Sequence, residues 1–206
     1  MKRLFIAAYA CMCAIAIILG AMHSAGADQT NITVDDGTTK LSGTRTTTTS
    51  GDTKTVVDNV EGASISGRYI ERKTTTVIVG DPPKKMEVVQ TQTTYDKKGG
   101  EKQATMIITL KRQYNEGGGF TQESTATTTY ELSEHAHESA VRKSVTETKL
   151  TCNPGDVYVS GTYSGYEVTK GGTKISEGEG KISKGRCLEY PAATQAPTAT
   201  PTPKPT

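Results

Sequence analysis

Tryptophan is absent from the 206 residues, phenylalanine occurs twice, and aromatics make up only 5% of the chain. A core centred on large rings is thereby excluded, and the aromatic girdles that a lipid-facing β-barrel needs at both membrane interfaces are missing. Only one long apolar run exists, between Leu4 and Leu19. It follows Lys2-Arg3 and precedes the small-x-small site Ala25-Gly26-Ala27, so residues 1–27 are expected to be a secretory signal peptide, with the exported chain starting at Asp28. The length of that run would also suit an anchor, but the Ala-Gly-Ala site favours cleavage. No stable membrane span is expected after cleavage.

An excess of either charge is lacking as well. The whole chain carries 24 Lys plus Arg against 22 Asp plus Glu, and the leader holds two of the basic residues and none of the acidic ones. The exported part is therefore balanced, without the cationic face that nucleic acid or an anionic membrane requires. Nucleic acid is not expected as a partner.

Cysteine is scarce too. Beyond the leader only Cys152 and Cys187 remain, and an even pair in an exported chain is expected to form one disulfide, stabilising by about 3 to 4 kcal/mol in the chain-entropy picture. In a strict meander the two would fall on opposite sides of one intervening strand, roughly 9 to 10 Å apart, so a bend is required, and Gly178 and Gly180 are placed to supply it.

Reactive constellations are also missing from the sequence: no Gly-x-Ser-x-Gly elbow, no His-Glu-x-x-His, and no phosphate-cradling glycine loop. No catalytic residue is assigned and no enzyme is expected. Glu134-His135-Ala136-His137-Glu138 holds both histidines outside the leader. Imidazoles two residues apart on a strand can share one ion, but no third ligand is identifiable, and no metal or cofactor is assigned.

What the chain does have is rhythm. Turn signals recur about every 18 residues, at Gly80-Asp81-Pro82-Pro83, Lys97-Lys98-Gly99-Gly100, Asn115-Glu116-Gly117-Gly118-Gly119, Glu134 to Glu138, Asn153-Pro154-Gly155-Asp156 and Lys170-Gly171-Gly172. Threonine-rich runs between them alternate in character, the signature of extended chain. The prediction is an all-β, long-stranded antiparallel up-and-down meander of about eight or nine strands, forming a curled sheet or a closed barrel. Strands are expected near 41–50, 53–60, 63–79, 84–96, 102–114, 120–132, 140–152, 156–169 and 173–189, after a leader or edge strand in 28–40. Residues 133–143 could alternatively form one helical turn.

Alternation also sorts faces. Ala104, Met106, Ile108, Leu110 and Tyr114 share one side of their strand, while Thr105, Ile107, Thr109 and Lys111 take the other. Phe120, Ala126, Tyr130 and Leu132 oppose Thr121, Glu123, Thr125, Thr127, Thr129 and Glu131. The β domain spans 28–190, and 191–206 is a Pro/Thr-rich tail that is expected to stay disordered as an extended, solvated spacer.

The expected role is a non-catalytic surface or envelope module of a secreted or periplasmic protein, binding an unidentified surface or protein partner. One alternative is a barrel-type carrier of a small apolar ligand such as a lipid, with Ala104, Ala126 and Gly161 leaving the cavity. Another is a binder of a regular surface, ice or polysaccharide. Its array would be the Thr-x-Thr pairs Thr46/Thr48, Thr53/Thr55, Thr74/Thr76, Thr91/Thr93, Thr125/Thr127 and Thr146/Thr148. Asn31-Ile32-Thr33 is an acceptor where the host glycosylates, and Tyr158, Tyr163, Tyr166 and Tyr190 could line a ligand surface.

Overall fold

The computed structural model describes residues 27–156 and 158–183. They form a single antiparallel sheet of ten strands: β1 (Asp28–Asp35), β2 (Thr39–Ser50), β3 (Thr53–Ser64), β4 (Tyr69–Val79), β5 (Lys85–Tyr95), β6 (Lys102–Tyr114), β7 (Phe120–Tyr130), β8 (Val141–Cys152), β9 (Ser160–Thr169) and β10 (Lys174–Ile182). Their spatial order is the sequence order, as expected of successive hairpins. The leader and the Pro/Thr tail lie outside the described residues.

Two expectations change. The stretch foreseen as one strand over 63–79 is broken by a turn at Ile65–Arg68, where the Ser64 amide donates to the Arg68 carbonyl at 2.9 Å and the Gly67 amide to the Ser64 carbonyl at 2.9 Å. Ser64, Ser66 and Gly67 are a turn vocabulary too brief to stand out from the alternation around them. The reversal expected at residues 61–62 thus falls about five residues later, the nine foreseen strands correspond to β2 to β10, and the edge strand foreseen in 28–40 is the tenth, β1. The barrel option also falls: among the described residues β1 and β10 stand at the two ends of the order and do not pair. The 133–143 segment forms two turns and no helix, because the Lys170 ammonium binds the carbonyls of Glu134 and Ala136 at 2.6 and 2.9 Å and holds the loop open against the β9–β10 turn.

Residues directly opposed in antiparallel neighbours share a face, so the registers assign every row. One row runs Arg45, Asp58, Thr74, Gln90, Ile108, Ala126, Thr146 across β2 to β8. This face is buried: Leu41 and Ile108 are 0% exposed and Val88 1%. The face behind it is open over β5 and β6, with Ile107 at 44% and Val89 at 48%, while Tyr69 on β4 and Val145 on β8 are buried on that side at 8% and 4%. A sheet with no second layer can hide one side only by curling over it. Arg68, from the β3–β4 turn, and Glu167 on β9 line one open hollow although five strands separate them in the order, which requires such a curl.

Glycines make the curl possible near β1 to β3. A Cβ on Gly43 would lie 1.9 Å from the Asn59 carbonyl oxygen, and one on Gly62 would lie 2.1 Å from that of Lys40, so neighbouring backbones approach there as only glycine permits. Leu41, Val60 and Ile70 pack over this bend. At the other end Phe120, Cys152, Val159 and Ile182 form a second cluster, with Tyr114, Leu150 and Tyr163 against it.

The inner face also carries polar side chains, and lateral pairing satisfies them. Arg45 meets Asp58 with both N–H···O distances at 2.7 Å, Arg72 Nε donates to Gln92 at 2.9 Å, and Arg112 donates twice to Gln122 at 2.9 and 2.6 Å. Each pair is directly opposed in the ladder. The Arg112 guanidinium also lies 4.0 Å over the Phe120 ring. Among the described residues no buried side-chain nitrogen or oxygen lacks a partner.

Candidate functional site

The outer face gathers an uncharged patch where β5, β6 and β7 run side by side. Register places Thr93, Thr105 and Thr129 in one row, Thr91, Ile107 and Thr127 in the next, and Val89, Thr109 and Thr125 in the third. Hydroxyls and methyls thus repeat at about 4.8 Å between strands and about 6.7 Å along them, over roughly 14 Å by 20 Å. The third row continues uncharged through Thr75 and Val57 to Thr46 on β2. Charges of both signs flank the patch: Glu71 and Lys73 on β4, Glu87, Lys111 and Glu123 in the next row, and Lys143 and Glu147 on β8, with the buried Val145 between the last two.

An aromatic ledge borders the patch at Thr93. Tyr95, two residues further along the same face of β5, opposes Tyr69 with ring centroids 6.2 Å apart and planes tilted by 48°. The Tyr95 hydroxyl donates to Glu71 at 3.0 Å. Glu61 and Glu71 oppose each other directly, an unfavourable placement of like charges. Tyrosine hydroxyls relieve it. The hydrogen bond from Tyr69 holds the Glu61 carboxyl below its ordinary range, aided by Lys98 at 3.5 Å, and the same bond pushes the Tyr69 phenol up to about 12. Tyr95 is likewise raised by its bond to Glu71. A raised phenol favours the folded state below the ordinary tyrosine range, and that contribution fades as pH climbs from about 10 towards 12. In an ultraviolet tyrosinate titration the last phenol to ionise is expected to be Tyr69, and Tyr69→Phe should remove that late component; an unchanged late component would contradict the assignment.

Asp36 anchors the β1–β2 turn in a comparable way. Burial alone would raise its carboxyl, but bonds from the hydroxyls and amides of Thr38 and Thr39 outweigh burial and bring it down to about 2. Arg72 approaches it at 3.8 Å. The lowered value adds stability above the ordinary carboxylate range, and this is lost as pH falls from about 4 to 2. Asp36→Asn should therefore flatten the acid limb of a stability–pH curve, and an unaltered limb would count against this role.

The threonine array differs from the expectation drawn from the sequence. Thr46/Thr48, Thr53/Thr55, Thr91/Thr93 and Thr125/Thr127 face outward, whereas Thr74/Thr76 and Thr146/Thr148 lie on the inner face opposite Gln90, Val88, Ala126 and Ser124. Alternation within a strand cannot say which face is outer; the register does. The grid around Ile107 was therefore only half visible, since Ile107 reads as a stray apolar residue until the seven threonines around it are brought into register.

Other predicted groups scatter. His135 and His137 are exposed, His137 Nδ1 is engaged with the Ser139 hydroxyl at 2.7 Å, and the loop carbonyls around them serve the Lys170 ammonium. Among the described residues no group of three or more His, Cys, Asp or Glu is placed to hold a metal. Tyr163 packs its ring on Gly180, Tyr166 lies on the outer face 3.9 Å beneath the Lys174 ammonium, Tyr158 is exposed, and Tyr190 lies outside the described residues, so no tyrosine cluster forms among those described. The space at Gly161 is filled by Leu150, and Ala126 is buried in the inner row, while Ala104 borders the open hollow with Tyr130, Leu132 and Val141. Asn31 is exposed on the terminal strand β1.

The bend expected at Gly178 coincides with a register shift between Ser176 and Gly178, where φ of Gly178 is 126°. Cys152 is buried against Ile182 beyond that bend, and Cys187 lies outside the described residues. Set beside known proteins, the chain matches no family description, no curated protein and no solved structure.

Proposed function

We propose that this chain is an exported, non-catalytic β module that docks to a cell surface or envelope through the uncharged outer patch of β5–β7. One observation carries this: Val89 and Ile107, each more than 40% exposed, sit among seven threonines in a charge-flanked grid, while the opposite face is packed and laterally paired. The same packing supports a surface module over a carrier, since Leu41, Val88 and Ile108 occupy the inner face themselves. Removal of 1–27 would deliver Asp28 at the start of β1. A Cys152–Cys187 bridge fits the approach of Ile182 to Cys152, because five residues of extended chain span at most about 17 Å. The Pro/Thr stretch after residue 190 would act as a spacer.

The test is co-sedimentation of the purified full chain with washed envelopes of the producing cells. The wild type is expected in the pellet and Ile107→Lys at least about tenfold depleted. Equal recovery of both would overturn the docking face.

A further inference from the structure

We infer that the occupant of the β5–β7 patch is a neutral, extended polysaccharide chain. This rests on the docking face proposed above and names its ligand class. Charge supplies the first argument. Nine contiguous positions carry no ionisable group, and apart from Thr75 and Val145 the positions flanking them on β4, on β8 and in the row of Glu87 carry charges of both signs, so an anionic or cationic polymer would gain nothing at the centre and meet like charge on some side.

The chemistry of the grid supplies the second. Each threonine offers a hydroxyl that donates and accepts beside a methyl group, the same mixture of polar and apolar edges that a sugar ring presents. Val89 and Ile107 add apolar footing in the middle, and Tyr95 adds a ring at the border whose hydroxyl is already fixed on Glu71. Other occupants lack their usual anchors. The nine positions contain none of the Trp, Tyr, Arg or Met that concentrate energy in protein interfaces. A second copy would find roughly 300 Å², well under the roughly 800 Å² per partner of a stable interface. Membrane binding would call for basic residues flanking a larger apolar face. A crystal lattice such as ice requires a plane, and strand twist of about 20° per neighbour takes the grid out of plane within a few strands. A single flexible chain can follow that twist.

The experiment measures retention of the purified full chain on swollen, non-crystalline cellulose and chitin and on an uncharged β-glucan, with alginate gel as the anionic comparison. Retention on at least one neutral polymer, little changed by added salt and absent on alginate, is expected. Ile107→Lys and Thr127→Glu should each reduce it at least about tenfold, and Thr162→Lys, on β9 of the same face, should leave it intact. Circular dichroism of each variant verifies that the sheet is retained, and two variants of opposite charge separate loss of the ligand from simple charge repulsion. No retention on any neutral polymer, retention on alginate alone, or full retention by both patch variants overturns the inference. If neutral polymers fail while envelope co-sedimentation still depends on Ile107, the docking face stands and only its ligand is wrong; if envelope co-sedimentation ignores Ile107, the docking face itself falls.

Discussion

Replacing Gly43 with valine is expected to lower the unfolding free energy by about 3 kcal/mol, the largest loss foreseen for any single added side chain in the sheet. The first added carbon would stand 1.9 Å from the Asn59 carbonyl oxygen and 2.8 Å from the Val60 Cα, both backbone atoms that cannot rotate away. Accommodation has to come from parting β2 and β3, and that opens the cluster of Leu41, Val60 and Ile70. Gly37, in the exposed β1–β2 turn, is unsuitable as a control because its φ of 76° penalises any side chain on its own account. Thr44→Val, next along the strand and on the outer face, is the fitting control and should change stability by no more than about 0.5 kcal/mol. Urea unfolding followed by circular dichroism compares the two, and a near-neutral Gly43→Val would show that the backbones do not approach as described.

The second large effect concerns Arg45 and Asp58. Their side chains are 17% and 18% exposed and meet through two 2.7 Å bonds on the inner face, so Asp58→Ala strands a guanidinium in a poorly hydrated place. The cost is expected at about 2 to 3 kcal/mol, below the range for fully buried pairs because some water still reaches both groups. A guanidinium keeps its proton at neutral pH even without that partner, so neutralising the arginine offers no escape. Removing both charges in Arg45→Met/Asp58→Leu should recover most of the loss, as apolar side chains of similar bulk suit that face. If the double variant were no more stable than Asp58→Ala, the loss would have to come from something other than the stranded charge.

The sequence disclosed the architecture through a few physical regularities. Alternation in residues 104–114 and 120–130 placed Ile108, Leu110, Phe120 and Ala126 on the hidden side, where all four are buried. The turn signals at Gly99-Gly100 and Gly117-Gly118-Gly119 marked reversals correctly, because each needs backbone angles that glycine adopts readily. The reversal between β3 and β4 was placed about five residues too early, at 61–62, because the brief Ile65–Arg68 turn does not stand out from the alternation around it. Closure could not be read at all, since whether a meander joins its ends depends on accumulated twist and shear.

The candidate site shows the same division. Each threonine pair was visible, yet its face and neighbours depend on register, which turns set over distances that no single strand records. Arg112 and Gln122 lie ten residues apart and look unrelated until the β6–β7 hairpin opposes them. A register shift stands at Gly178, where the sequence suggested that a Cys152–Cys187 bridge would need a bend.

The account as a whole depends on one asymmetry: neighbouring residues on a strand live on a packed side and an open side. Ile107 and Ile108 are adjacent on β6, chemically identical, and 44% and 0% exposed. Urea unfolding of Ile107→Thr and Ile108→Thr measures the difference directly. A loss of about 2 kcal/mol or more is expected for Ile108→Thr, with Ile107→Thr within about 0.5 kcal/mol of the wild type. Equal losses at the two positions, or a larger one at Ile107, would contradict the one-sided burial on which the fold and the docking face both stand.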